Sequence, residues 1–260
     1  RWRWGDWRPR TKGYVEMMDR FEKQVMQMDS RQSRFDGLMQ VAAGGFLTPN
    51  FTRVGWDVVA EPTGEHLAIW RELRERLHQG MRSARTEHKV DQIAGPLCKF
   101  VHADGALAQK ALSRLQPMHE AWAGGERLVP NNAYGMRLYQ PGNNLTMHLD
   151  KAPLGSHVIS SILHVDRDVD EPWPIVIRGY DGKTVEVDLK PGQMLFYEAS
   201  KCMHGRPRPL KGRWYASLFL HYRVASFHID QKQVIDAVGD RHLERLQDDG
   251  SVPRLQVVGT

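Results

Sequence analysis

The sequence predicts an α+β fold, in which a mainly helical first half packs on an antiparallel β core formed by the second half. Apolar residues recur at helical spacing in the first 128 residues. From about residue 134 the chain changes to short runs rich in β-branched and aromatic residues. Turn signals such as Asp181-Gly182 and Lys190-Pro191-Gly192 separate these runs. Seven or more short strands with such turns predict a sandwich, a jelly roll or a barrel.

Helical periodicity predicts helices over residues 14–28, 66–81 and part of 97–116. Asp104 is expected to cap the third helix, and Pro117 is expected to kink or end it. A short helix is predicted over residues 231–246, followed by an extended tail. We therefore divide the chain into a helical region (1–128), a β core (129–226) and a C-terminal helix and tail (227–260).

Composition excludes several classes of protein. The chain has 260 residues, of which 41% are hydrophobic and 26% charged, as in an ordinary folded domain. Two cysteines cannot form a disulfide scaffold, and no apolar run is long enough to span a bilayer. Four arginines lie among the first ten residues, and we interpret this cluster as a solvated tail, so nucleic acid is not an expected partner. The oligomeric state stays open.

The first residue is Arg1 rather than Met, so the sequence is expected to be trimmed at its N-terminus. The trimming would hide the residues that decide the compartment. Localisation therefore stays open between the secretory pathway, including the endoplasmic reticulum, and the cytoplasm.

The segment Met147-His148-Leu149-Asp150 predicts a pair of metal ligands. Residues i and i+2 of a strand point to the same side, so His148 and Asp150 face one point in space. His204 follows beyond a predicted hairpin and supplies a second imidazole. Two histidines and one carboxylate form the facial triad that suits non-haem Fe(II) and leaves coordination positions open.

A cation is expected near such a triad, because a dicarboxylate co-substrate that chelates iron at one end needs a partner for its other end. Arg213 opens the last long strand and could supply a bidentate guanidinium fork. Ser217 lies on the same predicted strand face and could add a hydroxyl group. Alternatively, Arg213 is a surface residue at the start of a strand.

These motifs resemble the prolyl 4-hydroxylase branch of the Fe(II)- and 2-oxoglutarate-dependent oxygenases. The resemblance covers roughly residues 132–224 and rests on Tyr139-x-Pro141-Gly142, His148-x-Asp150, Pro191-Gly192, His204 and Arg213. It implies a double-stranded β-helix, that is, a jelly roll, with Fe(II) held by His148, Asp150 and His204. It also implies that Arg213 binds the distal carboxylate of 2-oxoglutarate, that Tyr139 contacts the co-substrate near the metal, and that His164 helps bind the distal carboxylate.

The resemblance also implies a function, namely a dioxygenase that hydroxylates a C–H bond of a peptidyl proline and releases succinate and carbon dioxide. Ascorbate would be a further cofactor of such an enzyme. Two alternatives stay open: the same chemistry on a small metabolite or free amino acid, and a non-catalytic cupin-like binding module. The segment at residues 170–177 departs from the Gly-Gly-x-Thr pattern of the family, which leaves the substrate undecided.

Overall fold

The computed structural model describes residues 12–27, 47–88, 92–150 and 157–230, together with residues 34, 37, 38, 44, 90, 232, 233 and 236. Within these ranges it contains three α-helices. They are α1 (Lys12–Met26), α2 (Gly64–Gly80) and α3 (Gly105–Trp122). A short 3-10 helix, Met81–Ser83, follows α2. Most of the predicted C-terminal helix and tail, and the arginine cluster at the N-terminus, lie outside the described residues.

Twelve strands are found in the described part of the chain. Four short ones come first: β1 (Trp56–Val59), β2 (Arg85–Thr86), β3 (Ile93–Ala94) and β4 (Lys99–Phe100). The remaining eight are β5 (Leu128–Tyr139), β6 (Asn144–His148), β7 (Ile159–Val169), β8 (Ile175–Arg178), β9 (Thr184–Val187), β10 (Met194–Tyr197), β11 (His204–Arg206) and β12 (Gly212–Val224).

The strands form two antiparallel sheets, as the jelly-roll prediction requires. The larger sheet has the order β1-β10-β7-β12-β5-β4-β2, and the smaller has the order β3-β6-β11-β8-β9. The predicted hairpin at Asp181-Gly182 joins β8 and β9, and Gly182 has a φ of 73°, a conformation that glycine adopts without strain. The α+β fold with a jelly-roll core is therefore confirmed.

Two adjacent residues of β7 point to opposite faces of the large sheet and show what covers each face. Leu163 belongs to a hydrophobic cluster with Leu73 of α2 and Leu112 of α3, so the two helices cover the outer face. Ile162 belongs to a second cluster with Ile175 of β8, which lies between the two sheets. The inner faces of the sheets therefore enclose the volume in which the site lies.

Helix α3 begins as predicted but ends later. The Asp104 carboxylate accepts a hydrogen bond from the Leu107 amide at 2.7 Å, which confirms the predicted cap. The helix continues through Pro117 to Trp122, so Pro117 does not end it, and the kink expected there stays a prediction. Pro117 lies on the exposed face, where water can satisfy the carbonyl that the proline leaves without a partner. Leu115 and His119 are fully buried on the opposite face, and their packing keeps the helix continuous.

The division of the chain at residues 128 and 226 stays a prediction. Strands β1 to β4 precede residue 128 and extend the two sheets, so the first half also contributes to the β core. No helix within the described ranges is long and apolar enough to cross a membrane.

Candidate metal centre and its cavity

Two strands of the smaller sheet bring the predicted ligands together. His148 ends β6, Asp150 follows two residues later, and His204 begins β11 as the direct partner of His148 in the antiparallel pair. Their ligand atoms all lie within 4.8 Å of one another, so the three residues form a group that could hold a metal ion. Gly205 permits the close approach of the strands, because a Cβ atom there would lie 2.7 Å from the Thr146 carbonyl oxygen.

Backbone carbonyls orient both imidazoles. Nδ1 of His148 lies 2.8 Å from the Thr146 carbonyl oxygen, and Nδ1 of His204 lies 2.9 Å from the Cys202 carbonyl oxygen. A carbonyl can only accept, so each Nδ1 carries the proton and each Nε2 keeps its lone pair. Both Nε2 atoms lie 3.5 Å from Oδ1 of Asp150. This is the arrangement of donors that a divalent cation needs.

Asp150 is held in its ionised form. Burial alone would raise its pKa, but the neighbouring imidazoles of His204 and His148 lower the pKa well below its ordinary value. Tyr197, on β10, donates a hydrogen bond from its hydroxyl group to Oδ2 of Asp150 at 3.3 Å. Burial and the charge of Asp150 raise the pKa of Tyr197, so this phenol keeps its proton. One carboxylate oxygen is thereby positioned by tyrosine while the other faces the imidazoles.

A cavity of about 360 Å³ opens beside the triad, within the range of small-molecule sites. Tyr139, predicted near the co-substrate, is buried and lines this cavity. Arg137 also lines it, but its charge is matched, because Nε and Nη2 each donate to the Glu87 carboxylate at 2.8 Å. The Tyr134 hydroxyl group donates to the same carboxylate.

A second cation, Arg206, is buried two residues after His204. Its side chain donates hydrogen bonds to the Trp173 carbonyl oxygen and, at 3.1 Å, to the Tyr215 hydroxyl group. Its guanidinium carbon lies 4.6 Å from the ring centre of Trp173 and 4.3 Å from that of Tyr215. Among the residues that the structure describes, no carboxylate pairs with Arg206, although only 2% of the residue is exposed. A buried cation without an anion is costly, so this part of the interior favours a negatively charged ligand.

Two unsatisfied polar atoms lie in the same region. His164 stacks on Tyr215 with ring centres 4.0 Å apart, and its Nδ1 contacts the Ala216 carbonyl oxygen at 3.1 Å. Nε2 of His164 and Oγ of Ser217 are buried and have no hydrogen-bond partner. His164 and Ser217 are direct partners in the β7–β12 pair. Burial and the charge of Arg206 lower the pKa of His164 to about 3, so this imidazole is neutral at physiological pH.

The structure places Arg213 elsewhere, which corrects the prediction that it faces the cavity. Its side chain is 80% exposed and forms an ion pair with Asp168 at the protein surface. The register of β12 against β7 is irregular between Gly212 and Trp214, so Arg213 precedes the regularly paired part of the strand. Tyr215 is the first fully buried residue of β12, and it contacts Arg206. The buried cation therefore comes from β11 rather than β12.

Sequence reasoning missed Arg206 and Tyr197. Arg206 occupies the i+2 position after His204, the same strand spacing that identified His148 and Asp150, so this signal was available. Tyr197 lies in a predicted strand, but its contact with Asp150 depends on how the two sheets face each other. The pattern along β10 carries no sign of that contact.

Comparisons with known proteins identify the fold. No family model and no curated protein matches the chain. Among solved structures, a prolyl-4-hydroxylase from Pseudomonas putida matches with a TM-score of 0.52 and 16% identity, over 73% of this chain and 98% of that one. The non-heme alpha-ketoglutarate-dependent epimerase of nogalamycin biosynthesis matches with a TM-score of 0.52 and 14% identity, over 68% of this chain and 80% of that one. The chain therefore resembles the 2-oxoglutarate-dependent Fe(II) oxygenases in fold, as the sequence motifs predict.

Proposed function

We propose that this protein is an Fe(II)- and 2-oxoglutarate-dependent dioxygenase that hydroxylates a C–H bond. The observation that carries the proposal is the triad itself, in which two Nε2 atoms and one ionised carboxylate converge on one point. The donor set suits Fe(II), and the backbone carbonyls behind both imidazoles fix the tautomer that ligation requires. With only three protein ligands, coordination positions remain for the co-substrate and dioxygen.

When bound, Fe(II) would activate dioxygen, with 2-oxoglutarate as the reductant that becomes succinate and carbon dioxide. The residues of this chain position and shield that chemistry. Tyr197 fixes the orientation of Asp150 through its hydrogen bond to Oδ2. Apolar side chains of Ile162 and Phe219 line the cavity and limit the access of water. Ascorbate remains part of the proposal as a reductant added to the assay.

Arg206, His164 and Ser217 are the residues that we propose for the distal carboxylate of 2-oxoglutarate. On β7, Ile162 lines the cavity, and His164 is the next residue on the same strand face. On β12, Phe219 lines the cavity, and Ser217 is the next residue on its strand face. Arg206 is likewise the next residue on its face after His204. One such step along a strand is about 6.7 Å, comparable with the length of a five-carbon dicarboxylate. The proposal thus gives the buried cation and the Ser217 hydroxyl group an anionic partner. Because Nδ1 of His164 already faces the Ala216 carbonyl oxygen, Nε2 can donate to the carboxylate only if the imidazole takes up a proton when the anion binds, a change that the nearby negative charge favours.

For the substrate, we propose a peptidyl proline. This finer assignment is supported by the sequence motifs quoted above and by the fold shared with a prolyl-4-hydroxylase. A small metabolite is the second candidate, because the epimerase of nogalamycin biosynthesis matches with the same TM-score. Succinate release with a proline-rich peptide, compared with free proline and other free amino acids, separates the two candidates. Stimulation by a free metabolite alone would contradict the peptide assignment.

The metal assignment is tested by replacing each ligand in turn with alanine. His148→Ala, Asp150→Ala and His204→Ala should each lower the Fe(II) content and the production of succinate from 2-oxoglutarate. His102→Ala is the matched control, since His102 is exposed and does not line the cavity. Normal iron stoichiometry in all three ligand variants would place the metal elsewhere.

A further inference from the structure

The wall of the cavity beside the triad carries polar groups that the proposed metal and co-substrate chemistry does not use. Asn132, His157 and His221 line the same cavity as His148, Asp150 and His204. They come from three parts of the large sheet: β5, the residues just before β7, and β12. Any substrate that reaches the metal through this cavity passes them.

The strand register places these groups in one row across the sheet. His221 is the direct partner of Asn132 on β5 and of Ser160 on β7. Nδ1 of His221 lies 2.8 Å from Oγ of Ser160, which fixes the ring. The ring of His157 meets that of His221 edge to face, with centres 4.2 Å apart. We call the three partnered residues Asn132, His221 and Ser160 the polar row.

The carboxamide of Asn132 is the unsatisfied member of the polar row. Its Oδ1 atom is buried and has no hydrogen-bond partner within the described part of the chain. Leaving a buried acceptor unpaired is destabilising, so such a group calls for a partner. Rotation about the terminal torsion can present either the oxygen or the amide nitrogen to the cavity. The side chain can therefore offer one acceptor and one donor to a ligand.

In the part of the cavity wall that the structure describes, no side chain offers this ligand an unmatched charge. Among the described residues that line it, the charged side chains are Arg137 and Asp150. Arg137 is paired with Glu87 through two hydrogen bonds, and Asp150 belongs to the triad. Against this part of the wall, a free carboxylate or ammonium group of a substrate would lose its hydration without gaining an opposite charge.

We propose that the polar row binds a neutral amide group of the substrate, through the Asn132 carboxamide and the His221 imidazole. An amide presents a donor and an acceptor together, which complements the two groups that Asn132 offers. The inference rests on the proposed function and names a chemical class for its substrate. A peptide bond and the amide of a small metabolite share this chemistry.

Binding measurements on the full chain loaded with Zn(II) and 2-oxoglutarate test the proposal without turnover. The probe is N-acetylproline methylamide, and the matched ligand is N-acetylproline, which differs by carrying a carboxylate in place of one amide. In protein labelled with ¹⁵N at asparagine, the side-chain amide signal of Asn132 should shift and saturate with the first ligand but not with the second. The signal is assigned by its loss in Asn132→Ala.

Calorimetry then compares variants on neighbouring positions of one strand. Asn132→Ala should weaken the binding of N-acetylproline methylamide by about five- to tenfold, as expected for one neutral hydrogen bond. Asn131→Ala should leave the affinity unchanged, because Asn131 does not line the cavity. N-methylacetamide tests whether the amide belongs to a peptide or to a small molecule. If it binds more weakly than N-acetylproline methylamide, the substrate is a peptide. If the two bind equally, the substrate is a small amide.

Two results would overturn the proposal. One is the absence of a saturable Asn132 shift with the amide while 2-oxoglutarate binding is measured as normal. The other is equal or tighter binding of the carboxylate ligand. Loss of 2-oxoglutarate binding itself, seen in a separate titration, would instead refute the proposed function, and the amide assignment would fall with it.

Discussion

Replacement of Arg206 by methionine tests whether this buried cation binds 2-oxoglutarate. Methionine keeps much of the side-chain volume and removes the charge. Arg213→Met is the matched control, because it makes the same chemical change at an arginine that is 80% exposed and paired with Asp168. The two variants separate the cation that the structure places in the interior from the one that the sequence pattern favours.

The size of the effect follows from the burial of Arg206. Only 2% of this residue is exposed, so its interactions with an anion are shielded from water. Removing one partner of a buried charge-assisted pair costs about 2–5 kcal/mol. That corresponds to a loss of affinity on the order of 30- to 5000-fold. Arg213→Met should change the affinity by less than about twofold, since exposed charges contribute little.

Isothermal titration of 2-oxoglutarate into Zn(II)-loaded protein without oxygen measures these affinities directly. Thermal unfolding adds a second readout. A ligand at about 100 times its dissociation constant stabilises the folded state by about 2.7 kcal/mol. For a chain of this size, that raises Tm by roughly 5–10 °C. At the same ligand concentration, this shift should fall to about a third or less in Arg206→Met and persist in Arg213→Met.

The folding of the variant is controlled by its Tm without ligand. Removing a buried charge that has no carboxylate partner should offset much of the loss of the hydrogen bonds to Trp173 and Tyr215. Arg206→Lys retains the charge but not the fork, and should bind 2-oxoglutarate with intermediate affinity. A folded Arg206→Met protein that binds 2-oxoglutarate within about threefold of the parent would refute the assignment. A large loss of 2-oxoglutarate affinity in Arg213→Met, rather than in Arg206→Met, would also refute the assignment.

Two further predictions concern the metal ligand and acid stability. Tyr197→Phe removes the hydrogen bond to Asp150 and should lower metal affinity about 10- to 100-fold, measured by competition with a chelator; an unchanged affinity would contradict the positioning role. Burial lowers the pKa of His119 to about 4 and that of His164 to about 3, both below the ordinary value of 6.5. Between the lowered and the ordinary pKa of each histidine, the unfolded chain therefore binds more protons than the folded protein. The contribution of these two histidines to the free energy of unfolding should be fully present above about pH 6.5. It should fall as the pH is lowered, by about 2 kcal/mol for each of the two histidines at pH 5. His119→Gln should therefore reduce the slope of the unfolding free energy against pH, and His102→Gln should not.

The paired ligands His148 and Asp150 could be predicted because their signal is local. Strand periodicity places His148 and Asp150 on one side, and the structure brings His204 to within 4.8 Å of both. The cap at Asp104 and the hairpin at Asp181-Gly182 are also local, and the structure contains both. In each case a few neighbouring residues determine the geometry.

The partner for the distal carboxylate could not be predicted in the same way. Simple alternation along β12 puts Arg213 on the face of Ser217, but the register irregularity after Gly212 leaves Arg213 in solvent. Such an irregularity depends on pairing with β7, which periodicity within β12 does not reveal. The two-residue strands β2 to β4 were missed for a similar reason, since each is defined by its pairing with another strand: β3 with β6, β4 with β5, and β2 with β4.

The inner faces of β7 and β12 show why polar residues occur inside this core. Partnered residues on these faces follow the order polar, apolar, polar along the strands: Ser160 with His221, Ile162 with Phe219, and His164 with Ser217. A purely structural core would be expected to be apolar throughout, because each buried polar group without a partner is destabilising. The apolar middle pair lines the cavity beside the triad, while Asn132, the strand partner of His221, and both members of the pair His164 and Ser217 carry a buried atom without a hydrogen-bond partner among the described residues. In the proposed complex, the substrate amide lies at the pair Ser160 and His221, and the carboxylate of 2-oxoglutarate lies at the pair His164 and Ser217. The order of polar and apolar residues along the two strands therefore matches the order of the ligand groups.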